Sequence, residues 1–498
     1  MKNYKYIGLF LLAFSITSCD VNNELDEIVD PVKPLVTLNK NGLDFSTYIS
    51  IGASFTAGYT DGALFKAGQE NSFPNILAEK FGTSFKQPLM NDNIGGLVFN
   101  GTAVQPPRFY FDGAGPTRLS VLPTTSLTAK VSGPFNNFGV PGAKSFHLGV
   151  AGYGTLNPYF GRMESSSSAT VIGDALAQAP TFFTLSEIGG NDVLGYALSG
   201  GSGVDQTGNY DPSTYGETDI TDPTVFANVL NGMVTALTSN GAKGVVANVP
   251  YITDLANFST VPYNPLPLDA ATAEVVNAGY APYNGGLQAA AAALAGTGLL
   301  TDDEVAKRTI SFSAGQNAVV IIDEDLTDLG AINPAFAEIP KYRQATADDL
   351  LLLASSAIIG TTVNGNASLI NGVSVPLADN WVLTPQEQAA IKTASDAYNT
   401  TIETITSTNE NVALVDFKGL LQEASEGILF DKYRLNTSLV TGGLISLDGV
   451  HLTGRGYALM ANEILESIDA EFGSNFTLAT DGLAKADDYP TNYSPTLK

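Results

Sequence analysis

Two histidines are the side chains in this 498-residue sequence whose ordinary pKa suits proton transfer near neutrality, so the search for a general base is short. His451 lies in Ser446-Leu447-Asp448-Gly449-Val450-His451-Leu452-Thr453, and His147 lies in Gly142-Ala143-Lys144-Ser145-Phe146-His147. An acid three residues before a histidine, with a glycine between, can turn its carboxylate onto imidazole Nδ1. That fixes the tautomer and leaves Nε2 free to take a proton. Ser54, in Gly52-Ala53-Ser54-Phe55-Thr56-Ala57-Gly58, directly follows a strand-like segment. A serine at a strand-to-helix turn is exposed at the sheet edge, where the adjacent backbone N–H can face a developing oxyanion. The chemistry of such a set is nucleophilic attack on an acyl carbon. His147 sits in a helix-like stretch past Gly142 and is expected to be structural, because a base should come from a loop able to reach Ser54.

The elements that must position these residues can be read from periodicity. Thr47–Ile51 alternates and then meets Gly52, a strand ending in a turn. Further strands are expected at Phe182–Ile188, Gly244–Val249 and Val412–Asp416. Asp222-Pro223 caps a helix with Val225, Phe226, Val229, Leu230, Met233, Val234 and Leu237 on one face. Thr384-Pro385-Gln386-Glu387 is a capping box opening a helix to about Thr406. Tyr457, Met460, Ala461, Ile464, Leu465 and Ile468 mark a final helix. Strands alternating with helices imply an α/β fold, a three-layer α/β/α arrangement with a mostly parallel sheet whose chemistry sits at the C-terminal strand ends.

Two stretches, about 60–130 and about 255–380, break this alternation and are expected to be insertions on one domain spanning 39–475. In the second, Arg308–Phe312 and Ala318–Ile322 suggest a hairpin, and Leu350–Leu353 after Asp348-Asp349 suggests a short apolar helix, either core or a lid. Trp381, the single tryptophan, is expected in the core rather than as a sugar platform.

Composition narrows the function. With 24 Lys+Arg against 50 Asp+Glu the formal charge is −26, which would repel a phosphate backbone, so nucleic acid is not an expected partner. One Cys and two His exclude an internal disulfide and a multi-His or Cys-rich metal site. Asp323, Asp325 and Asp328 lack the glycine spacing of an EF-hand, and neither a metal nor a cofactor is expected.

Four ordered blocks resemble the SGNH (GDSL) hydrolase superfamily, whose fold is flavodoxin-like. Gly52-Ala53-Ser54 resembles the first block. Asn137-Phe138-Gly139-Val140-Pro141-Gly142-Ala143 resembles the second, Ile188-Gly189-Gly190-Asn191-Asp192 the third and Asp448-Gly449-Val450-His451 the last. The resemblance implies Ser54 as nucleophile, His451 as base and Asp448 as its orienting acid. It implies an oxyanion hole made by the Ser54 and Gly142 backbone amides and the Asn191 side chain, with no metal. Asp192 is expected to cap a helix. The implied activity is hydrolysis of acyl esters, of lipids or of acylated glycans; a carbohydrate O-deacetylase is the rival within the enzyme class. One position departs from the pattern. The family usually has Asp immediately before the nucleophile, where it holds the turn by hydrogen bonds, and Ala53 stands here. A misplacement of about 1 Å can cost ~100-fold in rate, so the alternative is a weak or inactive accessory lipoprotein, paired with an outer-membrane protein.

The start of the chain places it. Lys2 and Lys5 precede an apolar run, Ile7–Ile16, about half as long as the ~20 residues that cross a bilayer. The run reads as a signal peptide over 1–18. Cys19 resembles the lipidated cysteine of bacterial lipoproteins, followed by an acidic tether over 19–38. The expectation is an exported protein anchored by lipid to the outer membrane, on its periplasmic or cell-surface side, with a C-terminal tail over 476–498.

Overall fold

The computed structural model describes residues 35–498, so the expected signal peptide, Cys19 and most of the tether lie outside the described residues. Leu38–Lys498 form one unit. Its centre is a five-stranded, all-parallel sheet: β1 (Tyr48–Gly52), β2 (Asn137–Gly139), β3 (Phe182–Leu185), β4 (Lys243–Ala247) and β5 (Val412–Val415). Their spatial order is 2-1-3-4-5, a doubly wound arrangement whose chain reverses direction of travel between β1 and β3. Ile51 pairs with Leu185, Leu185 with Val246 and Val246 with Leu414, so the strands end together on one edge. The chain is thus α/β, as its alternating pattern predicts.

The strands are buried on both faces because two sets of helices flank them. α2 (Phe73–Phe81) and α6 (Gly454–Phe472) pack together, with α6 against β4 and β5. α5 (Pro385–Ser407) also reaches β4 and β5 but packs on α3 (Asn191–Leu198) and α4 (Pro223–Thr238). The caps are those legible in the sequence. Asp222 accepts the amides of Thr224 and Val225, and Thr384 and Glu387 close a reciprocal capping box on α5. In α6, all six residues named for the final helix are buried.

Residues 60–130 contribute two antiparallel pairs, Leu97–Phe99 with Thr102–Gln105 and Phe109–Phe111 with Pro116–Arg118. Residues 255–380 build an apolar core of their own around Ile310, Phe312, Val320, Ile321 and Leu351, and Trp381 packs against it. The expected hairpin is not there. Gly315–Asn317 pairs with Leu266–Leu268, and Val320–Ile322 pairs with Tyr342–Gln344. The 308–312 backbone is instead satisfied by side-chain amides of the helix Ala270–Ala293: Asn284 exchanges two hydrogen bonds with Ile310, and Asn277 two with Phe312. Two asparagines one heptad apart on a helix can stand in for a neighbouring strand, and periodicity does not reveal such a pairing. The Leu350–Leu353 helix is also corrected. Leu350–Leu351 is a strand against Val382–Leu383, and a 3-10 turn follows over Leu353–Ala357. Leu351 and Leu352 are core.

The 476–498 segment folds back onto the unit: Phe476 and Tyr493 are buried, and Arg108 donates to the carbonyls of Tyr493, Ser494 and Leu497. Among the described residues, no helix is long and apolar enough to cross a membrane.

The second core is fastened by charge. Arg343 binds Asp323 through Nε and holds Asp349 in a bidentate pair at 2.6 Å, all three side chains being buried. Arg343→Met is expected to leave buried Asp349 without a cation and Asp323 with Lys307 alone, and to lower the unfolding free energy by about 3–5 kcal/mol, measured by urea denaturation.

Candidate active site

The site assembles where β1 and β3 part company, at the C-terminal edge of the sheet. β1 runs into α1 (Ser54–Ala57), so Ser54 is the first residue of a short helix. The turn is tight enough that side chains are excluded at two glycines. A Cβ on Gly52 would lie 2.2 Å from Thr56 Oγ1 and 2.4 Å from the Ser186 carbonyl. One on Gly139, at the end of β2, would meet the Ala57 nitrogen at 2.2 Å. Ser54 is 7% exposed.

Beneath the turn lies the group that sequence reasoning missed. Glu187, half-buried and at φ +61°, turns its carboxylate under the Ser54 turn. Oε2 accepts the amides of Ala53 at 2.9 Å and Thr56 at 3.0 Å, and Oε1 accepts that of Phe55 at 2.5 Å. The Ser54 amide is the one in the run that this carboxylate does not take. The hydrogen bonds expected of an aspartate at position 53 therefore come from a glutamate 134 positions further along, on the loop after β3. Burial pushes the Glu187 carboxyl up, while the Thr56, Phe55 and Ala53 amides and the nearby His451 pull it down. The signal was an acid, Ser186-Glu187-Ile188, at the end of an apolar strand where nothing in the helix or strand pattern calls for charge.

His451 reaches the same place from the loop before α6. Its Nδ1 is 2.8 Å from Asp448 Oδ2. Asp448 is itself fixed: Oδ1 accepts the amides of Val450 and His451, each at 2.9 Å, and the Ser446 hydroxyl at 3.0 Å, while Oδ2 also accepts the Gly62 amide at 2.7 Å. Burial opposes ionisation of Asp448, but His451 and these amides outweigh it and hold the carboxyl well below the usual range. With Nδ1 engaged, Nε2 is the nitrogen left for proton transfer. The imidazole lies 5.6 Å from the Phe55 ring and 4.6 Å from that of Tyr59, so the base loop and the Ser54 turn are neighbours. No hydrogen bond joins Ser54 Oγ to the imidazole here; in substrate-free sites such bonds are often long.

The remaining donors come from the second and third blocks. Asn191 opens α3, and its Nδ2 donates to the Ala143 carbonyl at 2.9 Å, which orients the amide beside the loop bearing Gly142. Asp192 does not cap its own helix, as the sequence suggested. Buried, it accepts the Ser145 amide at 2.9 Å and the Ser145 hydroxyl at 2.7 Å, binding the start of the 3-10 turn Ser145–Gly149 to α3. Gly142, at φ +80° and exposed, sits in that loop, although it does not line the cavity described next. His147 is apart from this chemistry. Its Nδ1 accepts the Lys144 amide, its ring stacks on Tyr153 at 4.7 Å, and burial followed by Lys144 lowers its pKa to about 4.

Ser54 and Asn191 stand in the wall of a cavity of about 100 Å³. The rest of the wall is overwhelmingly apolar, with Leu194, Ile252, Phe417, Leu421, Val450 and Met460 prominent. These residues come from five separate parts of the chain, and nothing in their spacing marks them as one surface. The three acids read for a cation are dispersed: Asp323 belongs to Arg343, Asp328 caps the turn Leu329–Ile332, and Asp325 is exposed.

No known protein family, characterised protein or solved structure matches the chain.

Two expectations follow from these contacts. Glu187→Gln places an amide N–H against one of the backbone donors it now accepts and is expected to destabilise the fold by roughly 1–3 kcal/mol, measured by urea denaturation. Asp61 lies under the base loop, accepting the Leu447 amide, with its second oxygen buried and unpartnered. Burial, then Asp448, raises its pKa from 3.8 to about 7, against the opposing Leu447 amide and Arg108. The folded state holds that proton more tightly than the unfolded state, so the contribution is full below pH 3.8 and lost as pH rises to about 7. The stability difference between Asp61→Asn and wild type should slope in favour of the variant across that window and flatten on either side of it, measured by thermal melts as a function of pH.

Proposed function

We propose that the chain is a serine ester hydrolase of SGNH type, exported and held at the outer membrane by a lipid on Cys19. The observation that carries the reading is the proximity of the Asp448–His451 pair to the Ser54 turn, with Ser54 and the Asn191 amide in the wall of one apolar cavity at the sheet edge. In this reading Ser54 Oγ attacks the acyl carbon as His451 Nε2 takes its proton, and Asp448 stabilises the resulting imidazolium without itself accepting the proton. The tetrahedral oxyanion is met by the Ser54 amide, which Glu187 leaves free, by the Gly142 amide and by Asn191 Nδ2–H. One such donor is typically worth about 3 kcal/mol to the transition state. Collapse passes the proton from His451 to the departing alcohol, and water then releases the acyl group by the same relay.

The cavity favours a fatty acyl group over acetate. An acetyl methyl would leave most of its apolar wall unfilled, whereas a short aliphatic chain would cover it at ~25 cal/mol per Å² of surface removed from water. Apolar cavities of ~150 Å³ take up a six-carbon ring, so a cavity of about 100 Å³ should hold roughly four acyl carbons before the chain emerges. The inactive accessory reading rests on Ala53 and on the long insertions, and Glu187 supplies the contacts whose loss motivated the first of these grounds.

Hydrolysis of p-nitrophenyl esters from C2 to C16 tests this directly. Activity is expected to peak at about C4–C6 and to fall at least ~10³-fold in Ser54→Ala. Activity confined to C2 would favour the deacetylase, and wild-type protein inert toward every ester would contradict the proposal.

A further inference from the structure

Far along the chain from the nucleophile, three carboxylates converge with no cation among them. Glu324 follows the strand Val320–Ile322 of the second core, Asp379 opens the turn Asp379–Trp381, and Glu387 lies in the first turn of α5. One oxygen from each lies within 4.8 Å of the other two. Clustered surface acids are common, but this cluster has an interior. Glu387 is 4% exposed; its Oε2 serves the capping box, accepting the Thr384 amide at 2.6 Å, while Oε1 is buried with no hydrogen-bond partner. Asp379 Oδ1 is likewise buried and unpartnered.

The glycine turn after α3 closes over them. A Cβ on Gly201, at φ +79°, would sit 1.9 Å from Glu387 Oε1, and one on Gly200 2.3 Å from the Asp379 carbonyl oxygen. Only bare backbone fits there. The nearby ammonium groups are spoken for: Lys307 Nζ is 3.2 Å from Asp323 Oδ2, and Lys341 Nζ donates to the Glu324 backbone carbonyl at 2.7 Å. Asp323 and Asp325, which flank Glu324 in sequence, add more negative charge nearby. Like-charged carboxylates this close, two of them with shielded oxygens that accept no N–H or O–H donor, cannot all stay ionised alone: they share protons or take up a cation, and titration with calcium separates the two.

The geometry points to a divalent cation site at Glu324, Asp379 and Glu387, filled by calcium, that clips the 255–380 insertion to α3 and α5. Carboxylate oxygens without nitrogen or sulfur ligands suit a hard cation. Calcium accepts six to eight oxygens in adaptable geometry and dehydrates more readily than magnesium, so three carboxylates completed by water or carbonyl oxygens suffice. The inference is independent of the ester-hydrolase reading, because none of these residues lines the cavity at Ser54.

The test is calorimetric titration of EGTA-treated protein with CaCl2, and separately MgCl2, together with thermal melts in 1 mM CaCl2 and in EGTA. Wild type is expected to bind about one calcium with micromolar to submillimolar affinity and to melt a few degrees higher in calcium. Glu324→Gln, which alters an exposed side chain, and Asp379→Asn should each weaken binding at least ~10-fold and shrink the melting shift, while folding as wild type does in EGTA. A chain that binds no calcium and melts identically in both buffers overturns the proposal. So does calcium binding that both variants retain, and so does magnesium binding as tight as calcium's.

Discussion

A carboxylate seated under the backbone amides of one turn fixes the geometry on which everything else at this site depends. A serine hydroxyl is useful only if its turn is rigid, and a turn between a strand and a one-turn helix has several amides with no helical partner. Glu187 takes three of them, those of Ala53, Phe55 and Thr56, and passes over the fourth, at Ser54. A single side chain thus braces the Ser54 turn and leaves the Ser54 amide unengaged, as the proposed oxyanion role requires. Burying that charge is costly in isolation. Three amide donors and the nearby imidazole are what offset it.

The sheet supplies the convergence. Ser54 leaves β1, Asn191 follows β3, and His451 arrives from the loop after the last strand, so hundreds of residues of sequence separation shrink to one edge. Secondary contacts keep the loops there. Asp192 ties the Gly142 loop to the start of α3, and Asp448 is held by four donors besides the imidazole, including the Gly62 amide from the first insertion. The insertions are therefore not mere decoration. One contacts Asp448 directly, and the other carries its own buried ion pairs and core.

Much of this was legible in the residues. Caps at Asp222 and Thr384, the apolar face of α6 and the strand at Tyr48–Gly52 follow from local rules, and the structure has them. The Asp448–His451 pairing was legible because three-residue spacing with an intervening glycine is a local geometry. What was not legible is non-local. The Phe182–Ile188 strand stops at Leu185, because Glu187 leaves the strand to reach α1. The 308–312 segment finds helix-borne asparagines instead of a strand, and the cavity wall is gathered from distant segments by the fold alone.

The central claim is that Ser54 is a nucleophile made reactive by the Asp448–His451 pair. Incubation of the purified protein with a fluorophosphonate, followed by peptide mass spectrometry, addresses it most directly. The account predicts one covalent adduct, on Ser54, formed rapidly in wild type and slowed at least ~10³-fold in His451→Ala. An adduct on another residue, or labelling of Ser54 at the same rate without His451, would contradict it.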